Sequence, residues 1–248
     1  MRFRDLLKAV RPRPPIADDR EGQLQGAEEL YLAGDVDGAI AIWLPLAHGG
    51  SPRAQCRLGM VLLEGAAGEA DAETGAKWLR AAAVNGDVEA ARRLAECYFK
   101  GEGVPQDDIE ATALYRAAAE KGDGAAQDML SWLLASNEAG RTPDYAESLR
   151  WAEAAAAQGL APSMTRIGLF HHNALGVPRD ASAAVHWWRR AAALDDADAA
   201  AMLGAAYHVG QGVPRDPVRA YAWLRRARWG KSALAENFVY AVRASLGE

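Results

Sequence analysis

The sequence has few cysteines and no long apolar run. Cys56 and Cys97 are its only cysteines in 248 residues, too few for a disulfide framework, so we expect both thiols to be reduced and packed. No stretch of 18 apolar residues predicts a membrane span. The apolar part of residues 1–15 is too short and too interrupted for a secretory signal. We therefore expect a soluble cytoplasmic protein; a removed export signal remains an open alternative.

An excess of positive charge is also absent. The 33 acidic residues outnumber the 28 lysines and arginines, and the net charge is −5. Binding to nucleic acid needs a basic footprint, so we expect no nucleic-acid partner. Half of the residues are hydrophobic, which is enough for a sizeable core.

Motifs of common enzyme classes are missing too. The sequence contains no G-x-S-x-G, no H-E-x-x-H and no phosphate-binding P-loop. Its Gly-x-Gly segments at Gly101 and Gly210 belong to a repeated loop and follow no predicted strand. Cys56 and His48 have the chemistry of a nucleophile and a base, but nothing in the sequence orients them. We expect no enzymatic activity and no cofactor.

What the sequence does contain is one phrase repeated with a fixed period. The tripeptide Gly-Val-Pro begins at Gly103, Gly176 and Gly212, at intervals of 73 and 36 residues. A Leu or Ile followed by a small residue recurs every 36 or 37 residues, at Leu58, Leu94, Leu130, Ile167 and Leu203. A third marker follows 20 or 21 residues after each pair, at Trp78, Leu114, Trp151, Trp187 and Trp223. Three markers with one period indicate an internal repeat.

Each repeat is predicted to form two helices, A and B. Leu94 and Tyr98 stand i, i+4 on one face of helix A, and the small residue beside the leucine allows close approach of helix B. The Gly-x-Gly-Val-Pro loop ends helix A, since glycine accepts positive φ and proline cannot continue a helix. Helix B then begins at an aspartate N-cap, at Asp107, Asp180 and Asp216. Stacked hairpins of this kind bury jointly what one cannot bury alone, which predicts an α-solenoid.

The repeated phrase resembles the Sel-like repeat family, a branch of the tetratricopeptide-type solenoids. Its pattern is matched most closely by one copy, at Leu203, Gly204, Tyr207, Gly210, Gly212, Val213, Asp216, Ala220 and Trp223. The copies near Arg53 and Ala125 match in their helices but lack Gly-Val-Pro. The resemblance implies an all-α, right-handed α-solenoid of stacked antiparallel helix pairs. A cysteine-rich branch of the family pairs cysteines within repeats, which Cys56 and Cys97 do not do, since they lie in different repeats.

The resemblance also sets the expected domain organisation. We predict five Sel-like repeats at residues 52–87, 88–123, 124–160, 161–196 and 197–231. Residues 19–51, with their short Gly-Asp turn, are predicted to form a tetratricopeptide-like hairpin. Residues 1–18 are predicted to form a tail or short helix, and residues 232–248 a capping helix over the last apolar face.

Family membership implies adaptor work through protein–protein contacts, often in bacteria, and we expect a monomer with a protein partner. The alternative is a dedicated inhibitor, immunity-type or regulatory partner of one bacterial enzyme or toxin. Ligands of superhelical repeats bind the concave surface lined by helix A. Residues off the packing stripe of helix A are therefore the predicted partner-binding positions: Met60, Leu63, Arg92, Glu96, Phe99, Asp128, Trp132, Leu169, His172 and His208. A more tightly wound array would instead place Phe99 and Trp132 in the core.

Three further features have simpler interpretations than binding. His172 and His208 occupy equivalent positions with His171 beside them, but no acidic third ligand accompanies them, so we favour a polar lining over a metal site. A mostly basic column on helix B is interpreted as a solvated outer face, with an acidic-partner site as the alternative: Arg80, Arg116, Glu153, Arg189 and Arg225. The basic residues of the N-terminal tail have the same two interpretations, with anionic lipid as a further one.

Overall fold

The computed structural model describes residues 20–66, 70–136 and 142–245. Within those ranges the only regular elements are thirteen helices. In chain order they are α1 (Arg20–Leu32), α2 (Val36–His48), α3 (Pro52–Glu64), α4 (Ala72–Val84), α5 (Val88–Lys100), α6 (Asp108–Glu120), α7 (Gly124–Ala135), α8 (Tyr145–Ala157), α9 (Ala161–Asn173), α10 (Ala181–Ala193), α11 (Ala197–Val209), α12 (Pro217–Trp229) and α13 (Ala233–Ser245). The predicted tail at 1–18 lies outside the described residues.

Within each compact unit, consecutive helices pack on each other in the all-α arrangement that the repeat predicts. The helices divide between two compact units, α1 to α6 in unit 1 and α7 to α13 in unit 2. The odd-numbered helices α1 to α11 are the A helices of their pairs, and the even-numbered helices are the B helices. None of the described helices is long and apolar enough to cross a membrane.

Every B helix begins with the same device, an aspartate N-cap. The predicted caps Asp107, Asp180 and Asp216 are confirmed, since each carboxylate accepts a hydrogen bond from a backbone N–H two or three residues ahead. Asp35, Asp71 and Asp144 cap α2, α4 and α8 in the same way, although their loops lack Gly-Val-Pro. Each such cap stabilises its helix by about 1 kcal/mol.

The repeated loop joins helices A and B of one repeat and packs against the start of helix B of the preceding repeat. Gly101 ends α5 in the left-handed conformation, with φ of 72°, and Gly103 follows with φ of 71°. A Cβ on Gly103 would collide with the backbone of Ala72 at the start of α4. In unit 2, a Cβ on Gly176 would lie 2.9 Å from the Tyr145 carbonyl carbon. The loop glycines are therefore required for stacking as well as for the turn.

The contact between helices A and B depends on the small residue of the Leu/Ile–small pair. A Cβ on Gly204 in α11 would lie 2.5 Å from Cγ of Leu224 in α12. Gly59 in α3 faces Leu79 of α4 in the same way, at 2.7 Å. The prediction that this residue permits close approach of the helices is confirmed.

The buried position on helix B is the residue after the tryptophan marker. Trp78, Trp151, Trp187 and Trp223 are only half-buried. The residues that follow the marker are buried in all five repeats: Leu79, Tyr115, Ala152, Trp188 and Leu224. The marker tryptophans therefore cover the edge of the core, and the next residue fills it.

Each unit also contains helices outside the five repeated pairs. In unit 1, Trp43 of α2 is fully buried in a core that α1, α2 and α3 share, and Gly34, whose φ is 88°, lies in the turn between α1 and α2. In unit 2, α13 contributes Ala235, Val239 and Val242 to the core that α10 to α12 share. It covers the apolar side of the last pair.

The close approach at Gly204 gives a stability prediction. Gly204→Ala should lower the free energy of unfolding by about 1–3 kcal/mol, because the added methyl group overpacks the contact with Leu224. The matched control is Gly26→Ala in α1, where a Cβ would meet nothing within 4 Å. That change should raise stability by about 0.4–1 kcal/mol. Urea unfolding followed by circular dichroism measures both, and equal effects would contradict the packing role.

Candidate functional site

In unit 1 the candidate surface is formed by α1, α3 and α5, and we call it the helix-A face of unit 1. All five residues predicted there, Met60, Leu63, Arg92, Glu96 and Phe99, are half-buried. They are thus neither core residues nor freely solvated ones. This is the degree of burial expected of side chains that line a surface depression.

A cavity of about 230 Å³, half open to solvent, lies between α3 and α5. Its apolar lining comes from Met60, Leu63 and Cys97. Its charged lining has both signs: Glu64, Arg93, Glu96, Lys100 and Glu102. The structure therefore brings together three of the predicted residues, Met60, Leu63 and Glu96, and we call this feature the α3–α5 cavity.

Ion pairs link the A helices of unit 1. Arg57 of α3 bonds to Glu28 of α1 at 2.9 Å and lies 3.8 Å from Glu89 of α5. The pairs continue from α5 to Asp123, which lies 3.3 Å from Nε of Arg92. These contacts fix the spacing of neighbouring A helices at their exposed side.

Arg92 and Glu96 are already engaged within that network. Their side chains form an ion pair with each other at 3.0 Å, and Glu96 forms a second ion pair with Arg93 at 3.2 Å. The Arg92 side chain is only 16% exposed. A partner would meet these two charges as a neutralised rim rather than as free ligands.

The helix-A face of unit 2, formed by α7, α9 and α11, has a comparable network. Asp128 accepts a hydrogen bond from Arg166 at 2.8 Å and from the Ser163 hydroxyl at 2.5 Å. Thr165 donates to Asp196 at 3.0 Å. Asp128 therefore connects α7 to the next A helix, α9.

The apolar positions predicted in unit 2 are half-buried as well. Leu169 packs against the buried core of that unit, so part of its surface is committed to the fold. Trp132 is half-buried and lies on the helix-A face at the end of α7. It is the largest side chain among the predicted positions.

The predicted histidines differ in their surroundings. The His172 ring packs 5.5 Å from the Trp188 ring, and burial followed by the charge of Arg179 lowers the pKa of His172 below its usual value. Nδ1 of His208 is buried and has no hydrogen-bond partner among the described residues. No group of three or more metal-binding side chains occurs within the described ranges. The histidines thus line the surface without forming a ligand set there.

Sequence reasoning missed the column that carries the ion pairs. Arg57, Arg93 and Arg166 each stand one residue before the marker Leu or Ile, and all three form ion pairs between helices or along one. The signal was available, because these arginines repeat at 36 and 73 residues. Lys100 and Glu102 on the cavity rim carry no such periodic signal.

The basic column on helix B has a structural role in two repeats. Arg80 donates a hydrogen bond to the Tyr98 hydroxyl at 2.5 Å, and Arg189 donates to that of Tyr207 at 2.8 Å. In each case the arginine of one repeat binds the tyrosine of the next helix A, eighteen residues ahead. These two guanidinium groups tie adjacent repeats together.

Both cysteines are buried and free, as predicted. Burial, followed by the charge of Asp87, raises the pKa of the Cys56 thiol to about 12. Burial, followed by the charge of Glu102, raises the pKa of Cys97 to about 11. His48 packs on the Trp78 ring at 5.3 Å. Raised thiol pKa values oppose the thiolate that a nucleophilic cysteine needs.

Stacked two-helix units, three of which share the Gly-Val-Pro loop, define the chain as a helical-repeat protein of the α-solenoid class. Five consecutive segments match the family model described as Sel1 repeat: residues 52–87, 88–123, 124–160, 161–196 and 197–228. The chain belongs to the Sel1 repeat family, as the sequence resemblance predicted. Proteins of this family generally act through protein–protein interaction.

Solved structures agree with this assignment. A Sel1 repeat protein from Oxalobacter formigenes is 30% identical, with 86% of each chain covered and a TM-score of 0.76. A protective antigen with an SLR fold from uropathogenic Escherichia coli is 24% identical, with a TM-score of 0.82. The match covers 99% of this chain and 52% of the antigen, so the chain spans about half of the antigen's length. No curated protein matches the chain.

The ion pair at Asp128 predicts a structural effect that must be separated from binding. Asp128→Ala should lower the free energy of unfolding by about 1–3 kcal/mol, because Arg166, whose side chain is 13% exposed, loses its partner. Glu153→Ala, an exposed carboxylate on α8, is the control and should change stability little. Thermal or urea unfolding measures both. Unchanged stability of the Asp128 variant would show that this pair does not support the fold.

The thiols give a reactivity prediction. With pKa values of about 12 and about 11, roughly one thiol in ten thousand and one in a thousand is ionised at pH 8. Native protein should therefore react with Ellman's reagent far more slowly than protein in guanidinium chloride, where both thiols are accessible. The native rate should rise with pH until the solution approaches these pKa values. Rapid labelling of the native protein at pH 8 would contradict the burial of either thiol.

Proposed function

We propose that the chain is a non-enzymatic adaptor or scaffold that binds a peptide or helix of a partner protein on its helix-A face. The observation that carries this proposal is the α3–α5 cavity, with its apolar lining and its charged rim of both signs. Protein interfaces share this arrangement, because a buried apolar anchor supplies affinity and a polar rim supplies orientation.

The size of the cavity favours a side chain over a small-molecule substrate. Its volume of about 230 Å³ lies below the roughly 300–1,000 Å³ typical of small-molecule sites, and it is half open. One large apolar side chain of a partner could contact Met60 and Leu63 while the partner backbone stays outside. The rim would then meet flanking charges, with Lys100 and Arg93 facing acidic groups and Glu64 and Glu102 facing basic ones.

The helix-A face of unit 2 supports the same function by composition. Trp132 is a half-buried aromatic residue, and aromatic residues are enriched at the centres of protein interfaces. Leu169, at the equivalent position of the next repeat, is half-buried, and so are His172 and His208, which are equivalent to each other. We include these positions with Met60, Leu63 and Phe99 as the proposed contact residues. Arg92 and Asp128 serve chiefly to hold neighbouring segments in place, and Glu96 lies on the charged rim of the α3–α5 cavity.

The proposal is tested by photo-crosslinking at matched positions. A photoreactive phenylalanine analogue replaces Lys100 on the cavity rim or Lys121, an exposed lysine at the end of α6. After irradiation in the source cells, the Lys100 position should yield a covalent adduct with another protein and the Lys121 position should not. Met60→Gln, introduced together with the probe at Lys100, should reduce the adduct about tenfold, because it makes the cavity floor polar.

The controls decide between binding and misfolding. Circular dichroism and melting of the Met60→Gln protein must match those of the parent protein. Equal adducts from Lys100 and Lys121, or no adduct at either, would contradict binding on the helix-A face. Once the partner is known, its activity with and without the chain separates an adaptor from a dedicated inhibitor.

A further inference from the structure

The last repeat carries a concentration of positive charge that the other four repeats lack. Residues 217–235 include four arginines and one lysine but no aspartate or glutamate, in a protein of net charge −5. Most of this segment is α12, which lies in unit 2. The helix-A proposal makes no use of it.

The exposed side of α12 combines cations with apolar side chains. Its core side is formed by Ala220, Leu224 and Ala227, all fully buried. Opposite to it, at the helical spacing i, i+4, i+7, i+11, stand Val218, Ala222, Arg225 and Trp229. Val218 is 70% exposed and Trp229 is 92% exposed.

Comparison with the other repeats indicates no structural role for Trp229. Its counterparts at the same position of the earlier B helices are Val84, Glu120, Ala157 and Ala193. All of them are exposed, so the helix pair requires no particular side chain there. A tryptophan that is 92% exposed gains almost nothing from burial, and large exposed aromatics are typical of interaction sites.

Of the five cations on α12 and in the turn after it, two are paired and three form no ion pair within the described residues. Arg226 pairs with Asp195 at 2.7 Å and stacks on Trp223 at 5.5 Å, and Arg219 pairs with Asp216 at 3.2 Å. Arg225, Arg228 and Lys231 are exposed, and none forms an ion pair within the described part of the chain. Three positive charges without an ion pair among the described residues therefore lie within four residues of one exposed tryptophan.

Arg228 is exposed at a position where the four other repeats have alanine. The counterparts Ala119, Ala156 and Ala192 are alanines that are 1%, 2% and 0% exposed. After α12 the chain continues as α13, which covers Leu224 and Ala227 but leaves Arg228 in solvent. The fourth counterpart, Ala83, is half-buried, so only the last repeat has an exposed side chain at this position.

We propose that Val218, Arg225, Arg228, Trp229 and Lys231, which we name the C-terminal basic surface, bind an acidic segment of a protein partner. Guanidinium groups form bidentate hydrogen bonds with carboxylates, and the indole ring offers an apolar contact between them. This surface is distinct from the helix-A face, and its proposal does not depend on binding there.

Charge and geometry favour an acidic polypeptide over the other anionic macromolecules. A helix that binds a membrane surface inserts a broad apolar face, whereas the apolar face of α12 is occupied by the core. Specific nucleic-acid binding uses many phosphate contacts, and this surface offers three unpaired cations on and just after one helix. An acidic segment needs only a few carboxylates and one apolar side chain.

The test measures binding of a short fluorescein-labelled peptide of Glu, Asp and Leu by fluorescence anisotropy. Wild-type protein should bind it, with affinity falling as salt is added, and a matched peptide of Gln, Asn and Leu should not bind. The triple variant Arg225→Ala, Arg228→Ala, Trp229→Ala should weaken binding by about tenfold or more. The control variant Lys77→Ala, Lys121→Ala, Val84→Ala also removes two cations and one exposed apolar side chain, here from unit 1, and should bind within about twofold of wild type.

Several outcomes would overturn the proposal. One is equal weakening in both triple variants, which would mean that binding depends on overall charge. Another is the absence of peptide binding at roughly millimolar concentration. A third is tighter binding to vesicles of phosphatidylglycerol and phosphatidylcholine, or to single-stranded DNA, than to the peptide. Since all the substituted side chains are exposed, unchanged melting temperatures are expected and confirm that each variant is folded.

Discussion

Close contact between helix A and helix B is the constraint on which the rest of the structure depends. A helical pair whose apolar sides remain in water would not be stable, and stacking buries them jointly. The approach is close where a helix-A glycine meets a helix-B side chain, at the pairs Gly59–Leu79, Gly168–Trp188 and Gly204–Leu224, and no side chain fits between them. Loop glycines such as Gly103 allow an equally close contact with the neighbouring repeat. The repeat period, the loop glycines and the aspartate caps therefore recur together, because each helps to place the next helix at contact distance.

Stacking also determines which charges remain available for binding. Neighbouring A helices bring ionisable side chains within reach of one another, and most of them pair, as Arg57 does with Glu28 and Asp128 does with Arg166. Paired, partly desolvated charges hold the helices in register and offer little to a ligand. The α3–α5 cavity lies beside this network, where apolar side chains of two A helices meet its charged rim. The fold thus separates structural polar contacts from the apolar contacts proposed for a partner.

The two proposed surfaces differ in chemistry and lie on different helices. The helix-A face of unit 1 has an apolar depression with charges of both signs, suited to an anchor side chain. The C-terminal basic surface of unit 2 has unpaired cations around an exposed tryptophan, suited to carboxylates. Two surfaces with different preferences, one in each unit, would let the chain hold two partners, or two segments of one. A scaffold protein needs such a capacity to hold two partners at once.

The sequence by itself determined the period, the helix pairs, the aspartate caps and the family, because local propensities and a repeated pattern specify each of them. It also predicted that Met60, Leu63 and Glu96 lie on one surface, since their helical positions follow from the period. It did not distinguish charges used between helices, such as Arg92 and Asp128, from charges available to a partner. Nor did it show that the residue after each tryptophan marker fills the core, or that Trp229 is exposed. Only the tertiary structure decided these points, because pairing and burial depend on neighbours that lie far apart in the chain.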